Sequence, residues 1–530
     1  MAAPSFRKEI FSDLRTLLPA QLPAYLKQQR WFGAKAREIA STDVLDVIAL
    51  EHGGLDALIV IVHVEYQGGG EDLYSMPLIG SDASLGNVEA SSSSSLSIAE
   101  RDSERNLVLT DALKNETFLV LLLDAFHKDL VFRGETGEIR ASRTRAFSLQ
   151  ETGAAGSLQP RAMTTEQSNS SIAYGNRLML KFFRRLEEGV NPDLEVGAFL
   201  TGEAKYQHTP QVLGGLEYRS GSGTCMTQGI LQAFVPNQGD AWSYTLKSIS
   251  SFYDAAAKST QRPPAEPQNL PAEMGENLSA FLTSVGLLAK RTAELHLALL
   301  SDASNPAFAP EPFDEKFQRS FQDSLLQLTE RVFGQLRQIK DRLPAAAATK
   351  ATEILSSEEE IAQRFRPALS QPVRAKRTRI HGDYHLGQVL YTGSDFVIID
   401  FEGEPARPLS ERRVKRSPLQ DVAGMLRSFH YAAHAPLQGA GGTTNIVEGN
   451  AQNLGVWAEP WAKWVSERFL KDYLEAARGA SFLPPSRPEI MTLLQVHILE
   501  KAVYELGYEM NNRPAWVAIP MEGILKALAS

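Results

Sequence analysis

The chain is poor in the features that mark secreted, membrane and nucleic-acid-binding proteins. Its 530 residues include a single cysteine, Cys225, which excludes an intramolecular disulfide or a thiolate zinc cluster and favours the cytoplasm. The longest apolar runs, Leu58 to Val62 and Phe118 to Leu123, are far shorter than the roughly 20 residues that cross a bilayer. Lysine and arginine total 54 against 63 acidic residues, so no overall positive field attracts nucleic acid. We therefore predict a cytoplasmic protein with no membrane or nucleic-acid partner.

Several short catalytic motifs are also missing. The sequence contains no G-x-x-x-x-G-K-[ST], G-x-G-x-x-G, G-x-S-x-G or C-x-x-C. His430 and His434 have the i, i+4 spacing of a metal-binding pair, but the sequence shows no third ligand. We therefore predict no zinc site there.

The remaining composition is that of a globular protein, with 43% hydrophobic and 22% charged residues. Length and patterning predict an accessory domain over 1–135, a β-rich lobe over 136–235 and a mainly helical lobe over 236–530. The two longest apolar runs indicate buried strands. The stretch 80–103, which is rich in serine, is interpreted as a surface insertion.

Local signals predict two pairs of elements. A hairpin joins Ser171–Tyr174 to Arg177–Phe183 through Gly175-Asn176 and places Lys181 on its second strand. Asn191-Pro192-Asp193 begins a helix that carries Glu195. Long helices are predicted over 283–300, where we interpret His296 as a satisfied core histidine, and from the capping box of Ser486 and Glu489 to residue 511.

The segment 379–402 carries the strongest chemical signal. Asp383 lies in a loop, Gln388 follows five residues later, and Asp400 comes directly after an apolar strand. In kinase-type phosphoryl transfer these positions hold the residue that accepts the hydroxyl proton and two magnesium ligands. The pattern therefore predicts a phosphotransferase that uses ATP and Mg²⁺, since a carboxylate and an amide supply hard oxygen ligands.

The β-rich lobe offers the groups that such chemistry needs for nucleotide binding. Lys181 on a strand and Glu195 on the next helix have the order of the lysine and glutamate of kinases. Ser168, Asn169 and Ser170 lie at the tight start of the hairpin and could donate to phosphates in place of a glycine-rich loop.

These motifs together resemble the maltokinases, which are related to the aminoglycoside phosphotransferases and protein kinases. The resemblance rests on 166–171, Lys181, 191–195, 381–388 and 400–405, and it extends to 30–35, 412–427 and 500–524. It implies an α+β, bilobal kinase-like fold behind an N-terminal cap domain, with ATP between the lobes. It also implies transfer of the ATP γ-phosphate to the anomeric hydroxyl of maltose, giving α-maltose 1-phosphate for α-glucan synthesis.

The resemblance assigns a role to each matching residue. Asp383 with His381 would form the catalytic set, Gln388 and Asp400 would bind Mg²⁺, and Lys181 would bind phosphate. Members of the family are also fused behind trehalose synthase, which is the protein partner that the resemblance implies.

The last long helix is predicted to bind the acceptor sugar. Lys501, Tyr504, Glu505 and Tyr508 form one stripe at helical spacing, which combines aromatic faces with charged groups. Maltokinases are similar in placing acceptor contacts on this helix. A packed face with two half-buried tyrosines is the structural alternative.

Three questions stay open at the level of sequence. The shared motifs specify phosphate chemistry more than the acceptor, so a kinase for another sugar such as glucosamine is the first alternative function. A non-catalytic kinase-like module that binds a glycan or trehalose synthase is the second. The basic cluster Arg407, Arg412, Arg413, Lys415 and Arg416 either braces the magnesium loop or forms a solvated, salt-bridged loop.

Overall fold

The computed structural model describes residues 8–52, 55–82, 96–99, 106–148, 158–163, 169–370, 372–438 and 448–529. It divides the chain into unit 1, Met1–Pro236, and unit 2, Asn237–Ser530. The boundary predicted at residue 135 falls between two strands of one sheet in unit 1, and the division into three domains stays a prediction.

Unit 1 contains two antiparallel sheets and three described helices. The strands are β1 Ile39–His52, β2 Leu55–Tyr66, β3 Glu71–Asp82, β4 Leu96–Ala99, β5 Asn106–Asp111, β6 Val131–Arg133, β7 Glu138–Arg143, β8 Pro160–Ala162, β9 Asn169–Tyr174, β10 Leu178–Phe183, β11 Arg185–Leu186, β12 Val212–Arg219 and β13 Cys225–Ala233. The first sheet has the strand order β1-β2-β3-β5-β4, with β11 added to β3, and the second has the order β6-β7-β12-β13-β10-β9-β8. The helices are α1 Lys8–Gln28, α2 Glu116–Lys128 and α3 Pro192–Gly202.

Strand β2 is buried on both faces, which explains its unbroken apolar run. Leu58, Val60 and Val62 pack in one core with α1, whereas Ile59 and Ile61 pack in a second core on the opposite face. Side chains alternate across a strand, so a run without polar residues is what two buried faces require. The strand prediction for Leu58 to Val62 is confirmed.

The second apolar run is a helix, so the strand prediction for Phe118 to Leu123 is wrong. Asn115 caps α2 by accepting a hydrogen bond from the backbone of Phe118, and Asp129 ends the helix in the left-handed conformation at φ 50°. A short apolar run has no periodicity that separates a buried strand from a buried helix. Here α2 is apolar on most sides because one core encloses it together with residues of both sheets.

The stretch predicted as a surface insertion is in part a strand. Residues 96–99 form β4, which pairs with β5, and Leu96 is buried in the core beside α1. Residues 83–95 and 100–103 of the predicted insertion lie outside the described residues.

Two local predictions in unit 1 are confirmed. Strands β9 and β10 form the predicted hairpin, with Lys181 opposite Ser171 and with Gly175 at φ 54° in the turn. Asn191 caps α3 and accepts from the backbone of Asp193, as the Asn-Pro-Asp signal predicts.

Unit 2 is mainly helical. Its helices are α4 Ala241–Ala257, α5 Ala272–Leu299, α6 Glu315–Ile339, α7 Ala345–Ser356, α8 Glu358–Ser370, α9 Leu409–Arg412, α10 Leu419–His434, α11 Glu448–Ala476, α12 Arg487–Asn512 and α13 Ala518–Ala529. Short strand pairs join β14 Glu311–Pro312 to β15 Lys376–Arg377 and β16 Val389–Tyr391 to β17 Phe396–Ile398. Ser486 caps α12 by accepting from the backbone of Glu489, so the predicted start of this helix is confirmed. Among the described residues, no helix has the length and apolarity to cross a bilayer.

Candidate functional site

The segment 379–402 forms a loop, a 3₁₀ turn and a hairpin in unit 2. The 3₁₀ turn Leu386–Gln388 leads into β16, and Asp400 follows β17 with its backbone at φ 69°. Few residues other than glycine adopt positive φ, and such strain concentrates at functional sites. The amide Nε2 of Gln388 donates to Oδ2 of Asp400 at 2.8 Å. The two predicted magnesium ligands are therefore neighbours, and they offer hard oxygen atoms.

Helix α10 holds the loop that carries Asp383. The carboxylate of Asp421 accepts from the backbone N–H of His381 at 2.8 Å and from that of Gly382 at 2.9 Å. Further along the helix, the hydroxyl of Ser428 accepts from the backbone of Leu386 at 3.1 Å. A side chain on Gly424 would lie 2.5 Å from the carbonyl oxygen of Tyr384, so only glycine allows this close approach.

His381 links the loop to the strand that precedes Asp400. Its Nδ1 accepts from the backbone of Asp383 at 3.4 Å, and its Nε2 lies 2.9 Å from the carbonyl oxygen of Ile399. The ring is buried, and the accepting Nδ1 leaves the proton on Nε2, where it is donated to Ile399. These contacts position the loop rather than offer a group for proton transfer.

His296 is the satisfied core histidine that the sequence favours. It is fully buried, with Nδ1 2.8 Å from the hydroxyl of Tyr473 and Nε2 3.0 Å from Oδ2 of Asp421. Burial opposes ionisation of Asp421, but the hydrogen bonds from His296 and Gly382 outweigh it and keep its pKa below the ordinary aspartate value. Asp421 is therefore an ionised anchor between the core and the loop.

Lys501 of α12 bridges Asp383 to a second carboxylate. Its ammonium lies 3.3 Å from Oδ1 of Asp383 and 3.0 Å from Oε1 of Glu404. Arg407 completes the chain of charges by donating to Oε2 of Glu404 at 2.6 Å. The other oxygen of Asp383 lies 3.9 Å from Nε2 of His385.

This network sets the charge of Asp383. Burial disfavours its ionised form, but Lys501, His385 and His381 outweigh burial and hold the pKa of Asp383 below its ordinary value. Burial also disfavours the charged form of Lys501, yet Glu404 and Asp383 raise the pKa of this lysine above its ordinary value. Asp383 is consequently a weak base with a fixed orientation.

The basic cluster after Asp400 makes ion pairs and contacts with the backbone. Besides the Arg407 pair with Glu404, Arg412 donates to the carbonyl oxygen of Glu402 at 3.3 Å. Lys415 is buried and donates to Glu311 at 2.8 Å. The Arg412 contact fits a brace of the magnesium loop and the ion pairs fit a salt-bridged loop, so both interpretations stay predictions.

The predicted acceptor stripe on α12 is packed at Lys501, Tyr504 and Glu505 and more exposed at Tyr508. The ammonium of Lys501 lies 4.7 Å from the ring centre of Tyr504. Burial raises the pKa of the Tyr504 hydroxyl to about 12. Glu505 pairs with the buried Arg427 of α10, at 2.8 Å to Nε. Tyr508 is 46% exposed and lies 5.5 Å from the guanidinium of Arg513. Lys501 thus contacts Asp383, which the sequence did not predict.

Unit 1 holds the predicted phosphate lysine. Lys181 is largely buried, and its ammonium lies 3.2 Å from Oδ2 of Asp193 in the first turn of α3, two residues before the predicted partner Glu195. Asn169 and Ser170 begin β9, and the hydroxyl of Ser170 accepts from Nε of Arg184 at 3.0 Å. Ser168 lies outside the described residues.

Sequence reasoning missed residues whose partners are distant in the chain. Asp421, Glu404 and Asp193 belong to this set, together with the role of Lys501 beside Asp383. The sequence offers one indication of these roles, which is that both Glu404 and Asp193 lie inside motifs. Glu404 belongs to the motif that begins at Asp400, and Asp193 belongs to the capping sequence of α3.

Comparisons with known proteins agree with this geometry. Residues 25–114 match the model of the maltokinase N-terminal cap domain, and residues 167–446 match that of the phosphotransferase enzyme family. A glucosamine kinase of Mycolicibacterium smegmatis is 26% identical over 365 residues, which are 68% of this chain and 77% of that protein. A glucosamine kinase of Streptacidiphilus jiangxiensis is 21% identical over 301 residues, which are 55% of this chain and 59% of that protein.

Solved structures show the same fold. A glucosamine kinase structure has a TM-score of 0.63 at 16% identity, with 97% of this chain and 99% of that chain covered. Another, in complex with glucosamine, ADP and inorganic phosphate, has a TM-score of 0.59 at 16% identity and covers 95% and 96% of the two chains. The predicted α+β kinase-like fold with an N-terminal cap domain is confirmed. The chain belongs to the phosphotransferase enzyme family, whose kinases use ATP as co-substrate, and it carries the cap domain of the maltokinases.

Proposed function

We propose that the protein transfers the γ-phosphate of ATP to the anomeric hydroxyl of maltose and forms α-maltose 1-phosphate. The observation that carries the phosphotransfer is Asp383, which Lys501 holds at 3.3 Å in a loop anchored by Asp421. The match of residues 25–114 to the maltokinase cap domain supports maltose as the acceptor.

In this proposal Asp383 accepts a hydrogen bond from the attacking hydroxyl and orients its oxygen. That oxygen forms a bond to the γ-phosphorus, the bond to the β-phosphate oxygen breaks, and the hydroxyl proton passes to the carboxylate of Asp383. A weak base suits this step, because phosphoryl transfer through a loose transition state requires little deprotonation in advance. Rate enhancement then comes mainly from orientation and charge neutralisation.

The other predicted residues take supporting roles. Lys181, kept in place by Asp193 at 3.2 Å, would contact the phosphates, while Glu195, Ser168, Asn169 and Ser170 stay predictions for nucleotide binding. His381 is a positioning residue, since both of its nitrogens are engaged in hydrogen bonds.

Gln388 and Asp400 fit Mg²⁺ because they place an amide and a carboxylate side chain next to each other, with Nε2 of Gln388 2.8 Å from Oδ2 of Asp400. The amide oxygen of Gln388, instead of this nitrogen, would bind the ion. When bound, the ion would neutralise phosphate charge. Asp421 and His381 would keep the loop that carries Gln388 in place around it.

The charges around the proposed acceptor stripe favour a neutral sugar. Each of four acidic groups has a basic partner within hydrogen-bonding distance, in the pairs Asp383 and Lys501, Glu404 and Arg407, Glu505 and Arg427, and Glu509 and Arg513. An ammonium group on the acceptor would have to compete with one of these cations. A sugar hydroxyl is neutral, so it can donate to the carboxylate of a pair or accept from its cation without displacing that cation.

The second candidate acceptor is glucosamine, because the two relatives described above are named glucosamine kinases. The deciding assay measures ADP release with maltose, glucose, glucosamine and trehalose under saturating ATP and Mg²⁺. NMR of the product then identifies the phosphorylated position.

We expect the highest kcat/KM with maltose and a phosphate on its anomeric carbon. Faster turnover of glucosamine would overturn the proposal that maltose is the acceptor, but it would still support ATP-dependent sugar phosphorylation. No ADP release with any sugar would favour the non-catalytic binding module. Trehalose synthase as a partner stays a prediction from the resemblance.

A further inference from the structure

Three side chains of unit 2 converge on one point away from Asp383. His430 and His434 lie one turn apart on α10, and Glu459 lies on α11. Nε2 of His430 is 3.0 Å and Nε2 of His434 is 3.1 Å from the same oxygen, Oε1 of Glu459. The glutamate supplies the third ligand that the sequence alone did not show.

The separations fit a tetrahedral zinc site. Zinc binds histidine nitrogen at about 2.0–2.1 Å and carboxylate oxygen at about 2.0–2.2 Å, so neighbouring ligand atoms stand roughly 3.3–3.5 Å apart. The two nitrogen–oxygen distances are within a few tenths of an ångström of that value. Two imidazoles and one carboxylate also form a donor set that zinc prefers over magnesium.

A second carboxylate lies on the other side of His434. Its Nε2 faces Glu459, and its Nδ1 lies 3.9 Å from Oε2 of Glu522 on α13. With a metal ion at Nε2, the remaining N–H of His434 lies on the side of Glu522, and outer carboxylates commonly lie on that side of metal-bound histidines.

Two cations border the cluster, and one of them pairs with the proposed glutamate ligand itself. Lys526 pairs with Oε2 of Glu459, which leaves Oε1 to the histidines. Arg427 lies 3.4 Å from Nδ1 of His430, but its guanidinium pairs with Glu505 at 2.7 Å. Metal binding at Nε2 of His430 places the proton on Nδ1 and therefore requires Arg427 to release this long contact.

The cluster is enclosed yet reachable. His430 is buried, whereas the side chain of Glu459 is 39% exposed and opens the cluster to solvent. A cavity of about 230 Å³ next to it is lined by residues that include His430, Ala462 and Lys526. An ion and its bound water can therefore enter without unfolding of α10 or α11.

We propose that His430, His434 and Glu459 bind one Zn²⁺ ion, with water as the fourth ligand. The ion would join α10 to α11. This inference does not depend on the identity of the acceptor sugar.

The test uses the full chain after treatment with EDTA and dialysis into metal-free buffer with saturating MgCl₂. ZnCl₂ is titrated by calorimetry, and CoCl₂ is added separately to record the absorption bands of tetrahedral cobalt. The variants are His434→Gln and Glu459→Gln, with circular dichroism to verify folding. His63→Gln is the matched control, because His63 lies near Glu65 and Glu71 in a more exposed cluster of unit 1.

We expect one zinc per chain with a Kd of about 1 µM or tighter in the wild type and in His63→Gln. Each of the two cluster variants should weaken binding by at least roughly 30-fold and abolish the cobalt bands. A wild-type Kd weaker than about 100 µM, or an affinity that both cluster variants retain, would overturn the proposal. Loss of binding in His63→Gln would also overturn it, since the ion would then lie in unit 1.

Discussion

Replacement of Asp421 by asparagine tests how the loop that carries Asp383 is held. The carboxylate is 1% exposed and accepts three hydrogen bonds, from His381, Gly382 and His296, at 2.8, 2.9 and 3.0 Å. Asparagine has the same shape, but its amide nitrogen donates and would face one of these donors. At least one charge-assisted bond is lost, and a buried donor is left without an acceptor.

The expected cost follows from these contacts. A hydrogen bond to a charged group contributes about 1.5–3 kcal/mol, and an unsatisfied buried donor costs about 1–3 kcal/mol. Because the site relaxes in part, we expect unit 2 of Asp421→Asn to lose about 2–4 kcal/mol of stability. A shift of the loop by about 1 Å should lower kcat by about 10²-fold, with a small change in the KM for ATP.

Urea unfolding followed by tryptophan fluorescence measures the loss, because five of the six tryptophans lie in unit 2: Trp242, Trp457, Trp461, Trp464 and Trp516. Asp395→Asn is the matched control, since Asp395 pairs with Arg291 at the tip of the β16–β17 hairpin. This bidentate pair is partly buried, so Asp395→Asn should lower stability by about 1–3 kcal/mol and leave kcat unchanged. A loss below about 0.5 kcal/mol with unchanged kcat in Asp421→Asn would refute the anchoring role.

The pH dependence has a definite sign. The pKa of Asp421 is lower in the folded protein than in the unfolded chain, so its contribution is complete above the unfolded value of about 4. That contribution disappears as the pH falls through the folded pKa. Stability of the wild type should therefore fall more steeply below about pH 4 than that of Asp421→Asn, and parallel stability curves would contradict this reasoning.

Further predictions concern the base, its lysine and unit 1. Asp383→Ala should lower kcat by about 10²–10⁴-fold and leave ATP binding, measured by calorimetry, largely intact. Lys501→Met should raise the pKa of Asp383 and move the acidic limb of the kcat/KM profile to higher pH, and an unmoved limb would contradict the pairing. Arg184→Met should destabilise unit 1 by about 3–5 kcal/mol in thermal unfolding, because it leaves Asp111 without its 2.6 Å partner. The added change Asp111→Asn should restore part of that loss, and no restoration would contradict the assignment.

The sequence places Gln388 close to Asp400, as the structure does, because the geometry of this segment is local. Asp383, Gln388 and Asp400 lie within one loop and hairpin, so their spacing along the chain specifies their arrangement in space. The cap signals at Asn191 and Ser486 are local for the same reason.

Contacts across long stretches of chain could not be predicted in this way. The bridge from Lys501 to Asp383 spans 118 positions, and its existence depends on how α12 packs in unit 2. The run Phe118 to Leu123 predicts a strand but lies in a helix, because burial on most sides removes the polar face that reveals helical periodicity.

The shared core around α2 has a consequence for how this protein can be divided. One hydrophobic cluster joins Ile59 of the first sheet, Leu122 of α2 and Leu180 of the second sheet. The buried carboxylate of Asp46 adds a polar tie, since it accepts from the backbone of Glu135 at 2.9 Å and from the hydroxyl of Tyr218 at 3.1 Å. If recombination separated the two sheets, each resulting fragment would expose apolar surface that is buried in the intact unit 1. We therefore expect the two sheets to stay together in one evolutionary unit.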